Sequence, residues 1–299
     1  MTKVIKIALL CILTVTYSNL SLADSNTINS NSSTQQDIDG DGEFLTVKDN
    51  STLATGATTK AANVTGDSVD VTVESGSTIS ANTVAVFGDN TSDLTVTNSG
   101  TITASGTTAI DVKGTTDATI TNSSGGTISS NRNTIRISKT GSNNTTGMTI
   151  TNSGTITASN GSAIFASDGN SAATITNKIG GEITNSDTSN ATIRAGASST
   201  IVNSGTIKND IDNDAIKLYG NNATITLKDG GIVVGKIDGL LRTGSKLKFN
   251  HGVGQGYFYE TEGDFTLEDL DGNQVVKGSA GSVGQGGNEN IDELLGYKS

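Results

Sequence analysis

Short segments in which hydrophobic and polar residues alternate recur along the chain at a nearly constant spacing. One of them, a threonine followed by an aliphatic residue, marks eight positions that lie 23 to 30 residues apart: Thr46, Thr72, Thr95, Thr119, Thr149, Thr174, Thr200 and Thr224. A period of two sends alternate side chains to opposite faces of a β-strand. Each segment therefore predicts a short strand that buries its aliphatic residue.

Every repeat contains three such segments. The first segments carry Val47, Val73, Val96, Ile120, Ile150, Ile175, Ile201 and Ile225. The second carry Leu53, Ile79, Ile102, Ile128, Ile156, Ile183, Ile207 and Ile232. The third carry the pairs Val84/Val86, Ile110/Val112, Ile135/Ile137, Ile164/Ala166, Ile193/Ala195 and Ile216/Leu218. Three strands per repeat predict an all-β protein, a right-handed parallel β-helix (solenoid) of about 8–10 three-stranded coils.

Asparagine and glycine mark the turn between the first and second segments. Residues 95–103 read TVTNSGTIT, and residues 149–157 read TITNSGTIT. Asn and Gly tolerate left-handed backbone, and Asn can bond its own turn, so we interpret Asn-Ser-Gly as a corner that the coils share. The spacing stacks five corner asparagines in one ladder: Asn98, Asn122, Asn152, Asn177 and Asn203.

The composition favours strands and argues against several partners. Proline is absent, and only 16% of the residues are charged. Such a composition is also typical of disordered chains, but disorder would not keep aliphatic residues in register, and uninterrupted parallel strands need a chain without proline. The formal net charge is −11 and no cluster of Lys or Arg stands out, which argues against nucleic acid or an anionic membrane as a partner.

Residues 1–23 have the pattern of a secretory signal peptide. Two lysines precede an apolar run at residues 7–15, and Ser-Leu-Ala at 21–23 provides small residues for cleavage before Asp24. The apolar run is too short for a membrane-spanning helix. The single cysteine, Cys11, lies in this segment, so the mature chain is expected to have no disulfide and no thiolate metal ligand.

The mature chain divides into three predicted parts. Residues 24–44 form a flexible acidic lead-in, residues 45–244 the β-helix repeats, and residues 245–299 a C-terminal cap with the start of a linker. The repeated NSGTI segments and the stretch GKIDGLLRTGSKLKFNHGVGQGYFYETEGDFTLEDLDGNQVVKG at 235–278 resemble the passenger of a type V autotransporter of Gram-negative bacteria, with its end-of-passenger segment. NENIDELLGYKS at 288–299 resembles the start of the linker to the membrane barrel.

This resemblance implies export through the inner membrane, passage through an outer-membrane translocator barrel, and an extracellular or outer-membrane surface location. The sequence given stops at Ser299 without the series of amphipathic strands that a barrel needs. The translocator barrel is therefore expected to be missing here or to be a separate partner. A host or surface receptor, a glycan or a sister passenger would be the second kind of partner.

Catalytic motifs are not found. The only histidine, His251, is interpreted as a solvated turn residue of the end segment. Residues 66–69 read GDSV, as in the nucleophile block of GDSL esterases, but the aspartate expected three residues before the histidine is Lys248. We therefore predict a non-enzymatic protein without a cofactor.

Two aspartate clusters are weak candidates for calcium binding. Asp37, Asp39 and Asp41 match the start of a calcium loop, but position twelve is Lys48, where the loop requires Glu. We interpret the first cluster as solvated, with a weak calcium site as the alternative. A second cluster lacks the glycine and is interpreted as a charged corner: Asp210, Asp212 and Asp214.

The outward threonines of the first segments form a two-column grid. The pairs are Thr95/Thr97, Thr119/Thr121, Thr149/Thr151, Thr174/Thr176 and Thr224/Thr226, with Glu74 and Val202 as interruptions. Such TxT grids resemble the ice-binding face of some β-solenoid antifreeze proteins. Threonine is also favoured on any exposed strand, so an ordinary solvated surface is the main interpretation.

The outward residues of the third segments differ from the rest of the surface. They are Ala85, Asp111, Arg136, Phe165, Arg194 and Lys217. An aromatic residue between two arginines is typical of interfaces, so the last five form a possible interaction stripe, with a stabilising ladder as the alternative. The 30-residue repeat from Thr119 has an excess at residues 138–147, which is expected to protrude as a loop.

Taken together, these patterns predict a secreted or surface-displayed, non-enzymatic passenger that acts as an adhesin or surface-structure protein. Its mechanism would be the presentation of loops and one side face of a rigid rod. The alternatives are an inert spacer stalk and an ice-binding TxT solenoid.

Overall fold

The computed structural model describes residues 26–56, 59–166, 171–211, 213–240, 242–251, 257–269 and 292–296. These residues form 30 strands, which we number in chain order, and no helix. The strands build three sheets that run along the molecule. Within the described residues, no helix is long and apolar enough to cross a membrane.

The chain visits the three sheets in turn, so each sheet takes one strand from every coil. Sheet 1 contains β1 (Asn26–Ile28), β3 (Phe44–Val47), β6 (Asp70–Val73), β9 (Thr95–Asn98), β12 (Thr119–Asn122), β15 (Met148–Asn152), β18 (Ala173–Asn177), β21 (Thr200–Asn203), β24 (Thr224–Lys228), β27 (Lys246–Asn250) and β29 (Thr266–Asp269). Sheet 2 contains β4 (Thr52–Thr55), β7 (Thr78–Ala81), β10 (Thr101–Ala104), β13 (Thr127–Ser130), β16 (Thr155–Ala158), β19 (Glu182–Asn185), β22 (Thr206–Asn209) and β25 (Ile232–Val234). Sheet 3 contains β2 (Gln36–Ile38), β5 (Ala62–Val64), β8 (Val84–Asp89), β11 (Thr108–Lys113), β14 (Ile135–Ser138), β17 (Ile164–Ala166), β20 (Ile193–Ala195), β23 (Asp214–Leu218), β26 (Lys236–Asp238), β28 (Tyr257–Glu262) and β30 (Asp292–Gly296).

Neighbouring coils pair in parallel and place like residues above one another. In sheet 2, Ile102 pairs with Ile128, and Ile128 pairs with Ile156. All three side chains are fully buried. A single coil exposes its aliphatic residues above and below, so the stack buries them only where coils cover each other. The eight strands of sheet 2 give about eight turns, and the predicted parallel β-helix is confirmed.

The predicted register is wrong at the first coils. Thr72 pairs with Thr97 and not with Thr95, and Ile110 pairs with Val86 and not with Val84. A shift of two residues leaves every inward residue facing inward, so hydrophobic alternation alone does not detect it.

The prediction for Ile232 is also wrong. Val233 pairs with the inward Ile207, and Ile232 lies beside Thr206 on the outer face with 52% of its surface exposed. Because β25 contains three consecutive aliphatic residues, the sequence alone does not show which of them faces inward. The corner at Gly231 determines it.

Both ends of the solenoid contribute strands to the sheets. β1 and β2 lie within the predicted lead-in at 24–44, and they pair with β3 and β5. At the other end β27 and β29 extend sheet 1, and the antiparallel pair β28 and β30 ends sheet 3. The predicted signal peptide and most of the predicted linker at 288–299 lie outside the described residues.

The Asn-Ser-Gly corners need glycine because two coils approach closely. A Cβ atom on Gly154 would lie 2.5 Å from the carbonyl oxygen of Ser123 and closer still to that of Gly126. Gly100 and Gly205 meet carbonyl oxygens of the preceding coil in the same way. These three glycines do not have positive φ angles. The corner is therefore repeated for space between coils rather than for left-handed backbone.

Candidate functional site

The five corner asparagines form a buried, continuous chain of hydrogen bonds. Each side-chain Nδ2 donates to the Oδ1 of the asparagine in the next coil over 2.9 Å, in the order Asn98, Asn122, Asn152, Asn177 and Asn203. All five are fully buried. The same Nδ2 atoms also donate to backbone carbonyls, such as those of Gly154 and Glu182 for Asn152. Every Nδ2 group is therefore hydrogen-bonded inside the solenoid, and the ladder is structural.

The ladder has two unlike ends. The Oδ1 atom of Asn98 is buried without a hydrogen-bond partner, because Val73 occupies the equivalent position one coil below. At the other end Asn203 donates to the carbonyl oxygen of Ile232, and Leu227 occupies the next position. None of the ladder asparagines has a positive φ angle, so the predicted left-handed corner is wrong for them. They are inward-facing strand residues.

The outward residues of sheet 3 stack as one column, which we call the mixed column. Its register joins the five predicted stripe residues in sequence order: Asp111, Arg136, Phe165, Arg194 and Lys217. Below Asp111 the column continues with Phe87, not with the predicted Ala85. Ala85, two residues before Phe87 in β8, is fully buried. The column extends down to Asn63 and Asp37 and up to Asp238 and Glu262.

Asp111 and Arg136 form a bidentate ion pair. The Nε and Nη2 atoms of Arg136 lie 3.0 and 2.9 Å from the two carboxylate oxygens of Asp111. The Asp111 side chain is almost buried, while that of Arg136 is 38% exposed. Burial raises the pKa of Asp111 above its usual value, and the charge and hydrogen bonds of Arg136 only partly oppose this effect.

Arg194 lies between two aromatic rings. Its guanidinium carbon is 4.5 Å from the ring centre of Phe165 in the coil below and 4.1 Å from that of Tyr219 in the coil above. Both contacts are within the range of cation–π attraction. The predicted contact of Phe165 with Arg194 is present, whereas Arg136 pairs with Asp111 instead. The sequence did not indicate Tyr219, which follows β23.

Lys217 is held by two buried aspartates. Its Nζ atom lies 2.8 Å from Asp214 and 2.6 Å from Asp238. Burial alone would lower the pKa of Lys217, but the hydrogen bonds and charges of both aspartates raise it well above its usual value. Lys236 contacts Asp214 and Glu262 and extends the network toward the end of the solenoid.

The lower part of the mixed column uses a lysine from outside the strands. The Nζ atom of Lys60 lies 3.5 Å from the ring centre of Phe87 and 2.8 Å from Oδ1 of Asn63. Asn63 in turn donates to Asp37 over 2.9 Å. Desolvation lowers the pKa of Lys60, and nearby carboxylates, Asp89 first, act in the opposite direction. Asp37 is therefore part of a polar contact chain.

The described residues of the two candidate calcium clusters are exposed or form ion pairs. Asp37, Asp39 and Asp41 are all exposed, and Asp41 accepts a hydrogen bond from the backbone N–H of Asp67. Within the described part of the chain, no group of three or more potential metal-ligating residues could hold a metal ion. Of the second cluster, Asp210 pairs with Lys208 and Asp214 with Lys217, while Asp212 lies outside the described residues.

The outward threonines of sheet 1 form two straight columns. One contains Thr95, Thr119, Thr149, Thr174, Thr200 and Thr224. The other contains Thr46, Thr72, Thr97, Thr121, Thr151, Thr176, Val202 and Thr226. Because Thr72 pairs with Thr97, Glu74 is not part of the grid, and its predicted interruption is wrong. Val202 interrupts the second column as predicted.

His251 is buried, so its interpretation as a solvated turn residue is wrong. Its ring stacks on Tyr259 with 5.8 Å between centres, and its Nε2 atom lies 3.2 Å from the Tyr259 hydroxyl. Phe249 packs beside both rings. Desolvation lowers the pKa of His251, and Asp229 and a backbone hydrogen bond at Lys228 oppose the shift. Leu247, Phe249 and His251 alternate with polar residues along the segment, and this alternation is the sequence signal for the burial of His251.

The excess residues at 138–147 are largely tied to the solenoid. Thr140 donates to Asp89 over 2.9 Å and Asn143 to Asn90 over 3.2 Å, which are residues two coils below. Thr145 is fully buried and donates to the carbonyl of Ser138. Residues 141–144 form an exposed tip, and Lys139, Thr146 and Gly147 beside it are exposed as well. The protruding loop is therefore short.

These features define a class: a three-sheet parallel β-solenoid with a buried asparagine ladder and an outward mixed column. The chain matches no protein-family model, no curated protein and no solved structure.

Proposed function

We propose that the protein is an exported, non-enzymatic solenoid that acts at the surface of a Gram-negative bacterium as an adhesin or surface-structure protein. The mixed column is the observation that carries this proposal. It places two phenylalanines, a tyrosine and several cations on one side of a stiff rod, where the other two sheets present mostly hydroxyl side chains. Aromatic residues and arginine are enriched where proteins meet partners.

The surrounding structure supports a role in presentation. The Nδ2 groups of the ladder all donate hydrogen bonds inside the rod, so the solenoid holds its outer columns in fixed positions at the inter-strand spacing of about 4.8 Å. A rod of this kind displays a row of side chains to a receptor, a glycan or a sister molecule. The resemblance of residues 235–278 to an end-of-passenger segment supports export through an outer-membrane translocator.

Adhesion of protein-coated beads tests this function. Beads that carry the full mature chain should bind to epithelial cells, to an abiotic surface or to one another more strongly than uncoated beads. Phe165→Ser should reduce this binding while the melting temperature barely changes. Phe44→Ser is the matched control, because Phe44 is an exposed phenylalanine on sheet 1, away from the mixed column. If coated and uncoated beads bind alike, the protein is a spacer and the adhesin proposal fails.

Export is tested separately. The full sequence, expressed in a Gram-negative host, should lose residues 1–23, and mass spectrometry of the exported protein should find Asp24 as its first residue. An uncleaved chain that stays in the cytoplasm would contradict this part of the proposal.

Ice binding is a second candidate, favoured by the sheet 1 register. Each column has six consecutive threonines, and four adjacent coils carry a threonine in both columns, while Asp70 ends the first column below Thr95. Thr151→Tyr should abolish any thermal hysteresis, because the ring would stand above the plane of the grid. Thr157→Tyr, on sheet 2, is the control and should leave it unchanged. A wild-type protein without thermal hysteresis would remove this candidate.

A further inference from the structure

The three cations at the centre of the mixed column differ in their ionic partners. Arg136 is neutralised by Asp111, and Lys217 by two aspartates. Arg194 lies between them and has no carboxylate within ion-pair distance in the described part of the chain. Its one hydrogen bond there joins Nη1 to Oδ1 of Asn190 at 3.4 Å, near the upper limit for a hydrogen bond.

Arg194 is nevertheless held in place. The rings of Phe165 and Tyr219 contact its guanidinium group from the coils on either side. The Nε atom is buried and makes no hydrogen bond. The residue as a whole is half-buried, and its Nη2 group makes no hydrogen bond within the described residues. The ordering that a ligand would otherwise have to impose on this side chain is already present.

The chemistry of a fixed guanidinium defines the ligand. Arginine stays charged at every physiological pH, and its planar N–H groups match the two oxygens of a carboxylate. Aromatic rings on both sides reduce contact with water and strengthen such a pair. The site therefore offers a charge and hydrogen-bond donors that the described part of its own chain does not neutralise.

We propose that Arg194, clamped by Phe165 and Tyr219, binds the carboxylate of an acidic sugar at the end of a glycan. This inference rests on the proposed adhesin function and names the ligand class of the same column. Arg194 would pair with the sugar carboxylate through its terminal amino groups. Asn190 is half-buried beside the guanidinium. Its side chain and the hydroxyl of Tyr219 would form hydrogen bonds with the hydroxyl groups of the sugar.

The charge of the chain limits the ligand to one carboxylate at a time. The formal net charge is −11, and a densely charged polyanion is repelled at long range by such a protein. The neighbouring cations Arg136 and Lys217 are already paired with carboxylates, so a second carboxylate beside Arg194 finds no free partner. A glycan with a single terminal acidic sugar fits these conditions better than an acidic polymer.

Saturation-transfer NMR on the full mature chain tests the inference, with 3′-sialyllactose, lactose and the peptide Gly-Glu-Gly as probes, each at about 1 mM, the range expected for one weak contact. We expect a signal for sialyllactose with the wild type and with the control variant Arg132→Lys, which changes an exposed arginine outside the mixed column. Lactose should give none. Arg194→Lys should lose the sialyllactose signal, since lysine keeps the charge but loses the planar donor pair and its stacking.

Each other outcome overturns the inference. Equal signals for sialyllactose and lactose would show that the carboxylate is not recognised, and a comparable signal for Gly-Glu-Gly would show that the sugar is not. Binding that persists in Arg194→Lys would place the ligand elsewhere. Should this variant lose its fold, the Nε–H resonance of Arg194 in the wild type must shift with sialyllactose and not with lactose. Bead adhesion that is unchanged in Arg194→Lys would leave the adhesin proposal standing while this inference fails.

Discussion

The side-chain Nδ2 atom of Asn122 donates to Oδ1 of Asn152 over 2.9 Å, although 30 residues separate them in the sequence. The same bond recurs in the coils above and below, so each inner asparagine has one neighbour that donates to it and one that accepts from it. The ladder joins coils that are otherwise linked by strand pairing and aliphatic contacts.

Replacing a central ladder residue should destabilise the solenoid strongly. Asn152→Leu removes the donor to Asn177 and leaves buried polar atoms without partners, at a cost of about 1–3 kcal/mol for each such group. We expect the free energy of unfolding to fall by roughly 2–4 kcal/mol in chemical denaturation. Thr151→Ala, the outward neighbour, should change it by about 0.5 kcal/mol at most. Equal effects of the two variants would contradict the structural role of the ladder.

The corner glycines should not tolerate a side chain. In Gly154→Ala the new methyl group collides with the carbonyl oxygens of Ser123 and Gly126, which accept backbone hydrogen bonds from Gly126 and Thr155 and cannot move independently. A loss of about 1–3 kcal/mol is expected from thermal or chemical unfolding. Gly56→Ala serves as the control, since no atom lies within 4 Å of its Cβ position and its φ angle is not positive. A stable Gly154→Ala protein would refute the close approach of the coils.

The last strand of sheet 2 distinguishes the structural register from the predicted one. Ile232→Asp places a charge on the outer face, where 52% of the residue is exposed, and should leave the melting temperature nearly unchanged. Val233→Asp turns a carboxylate toward Ile207 in the core and should lower it by several degrees. The sequence-based assignment requires the reverse order, so differential scanning calorimetry of the two variants decides between them.

The buried Asp111 should make the solenoid relatively more stable in acid. Because its pKa in the folded state is raised above 3.8, the folded chain binds its proton more tightly than the unfolded chain. The charged Asp111 carboxylate therefore destabilises the folded chain. This destabilisation is complete above the raised pKa and disappears as the pH falls below 3.8. Asp111→Asn removes this dependence, so the stability of the variant relative to the wild type should fall on acidification. If the stability of Asp111→Asn relative to the wild type rose on acidification, the pKa of Asp111 would be lowered in the folded state and not raised.

His251 should act in the opposite direction at the C-terminal end. Burial lowers its pKa, so below the usual value of 6.5 the unfolded chain binds more protons than the folded chain. Stability at this end is therefore expected to fall as the pH drops through 6.5 and below. Hydrogen exchange of β27 and β28 amides should quicken in acid, and His251→Phe should remove the effect. Exchange that is independent of pH, after correction for its chemical rate, would contradict the shift.

The sequence predicted the fold because one aliphatic residue per segment, repeated at near-constant spacing, leaves few alternatives to a stacked β-helix. It also placed Asn122 above Asn98 and Arg136 above Asp111, since spacing alone determines which residues stack. It failed at Thr72 and Val84, where a shift of two residues conserves the inward and outward faces.

Side-chain partners were less predictable than columns. Tyr219 was missed because it follows its strand, beyond the reach of the alternation rule, and Lys60 reaches Phe87 from outside the strands. Arg136 contacts Asp111 and not Phe165 because the Asp111 carboxylate is nearly buried. An unpaired buried charge costs more free energy than an aromatic ring without a cation.

The ladder also makes the length of the rod adjustable. Every inner coil presents the same amide oxygen to the coil below and the same amide hydrogens to the coil above. A recombination event that removes or duplicates one whole repeat between Asn98 and Asn203 joins two surfaces that already match, and it creates no new unpaired atom at the seam. Such a gene can lengthen or shorten its product in steps of one coil while Val73 and Leu227 continue to close the two ends.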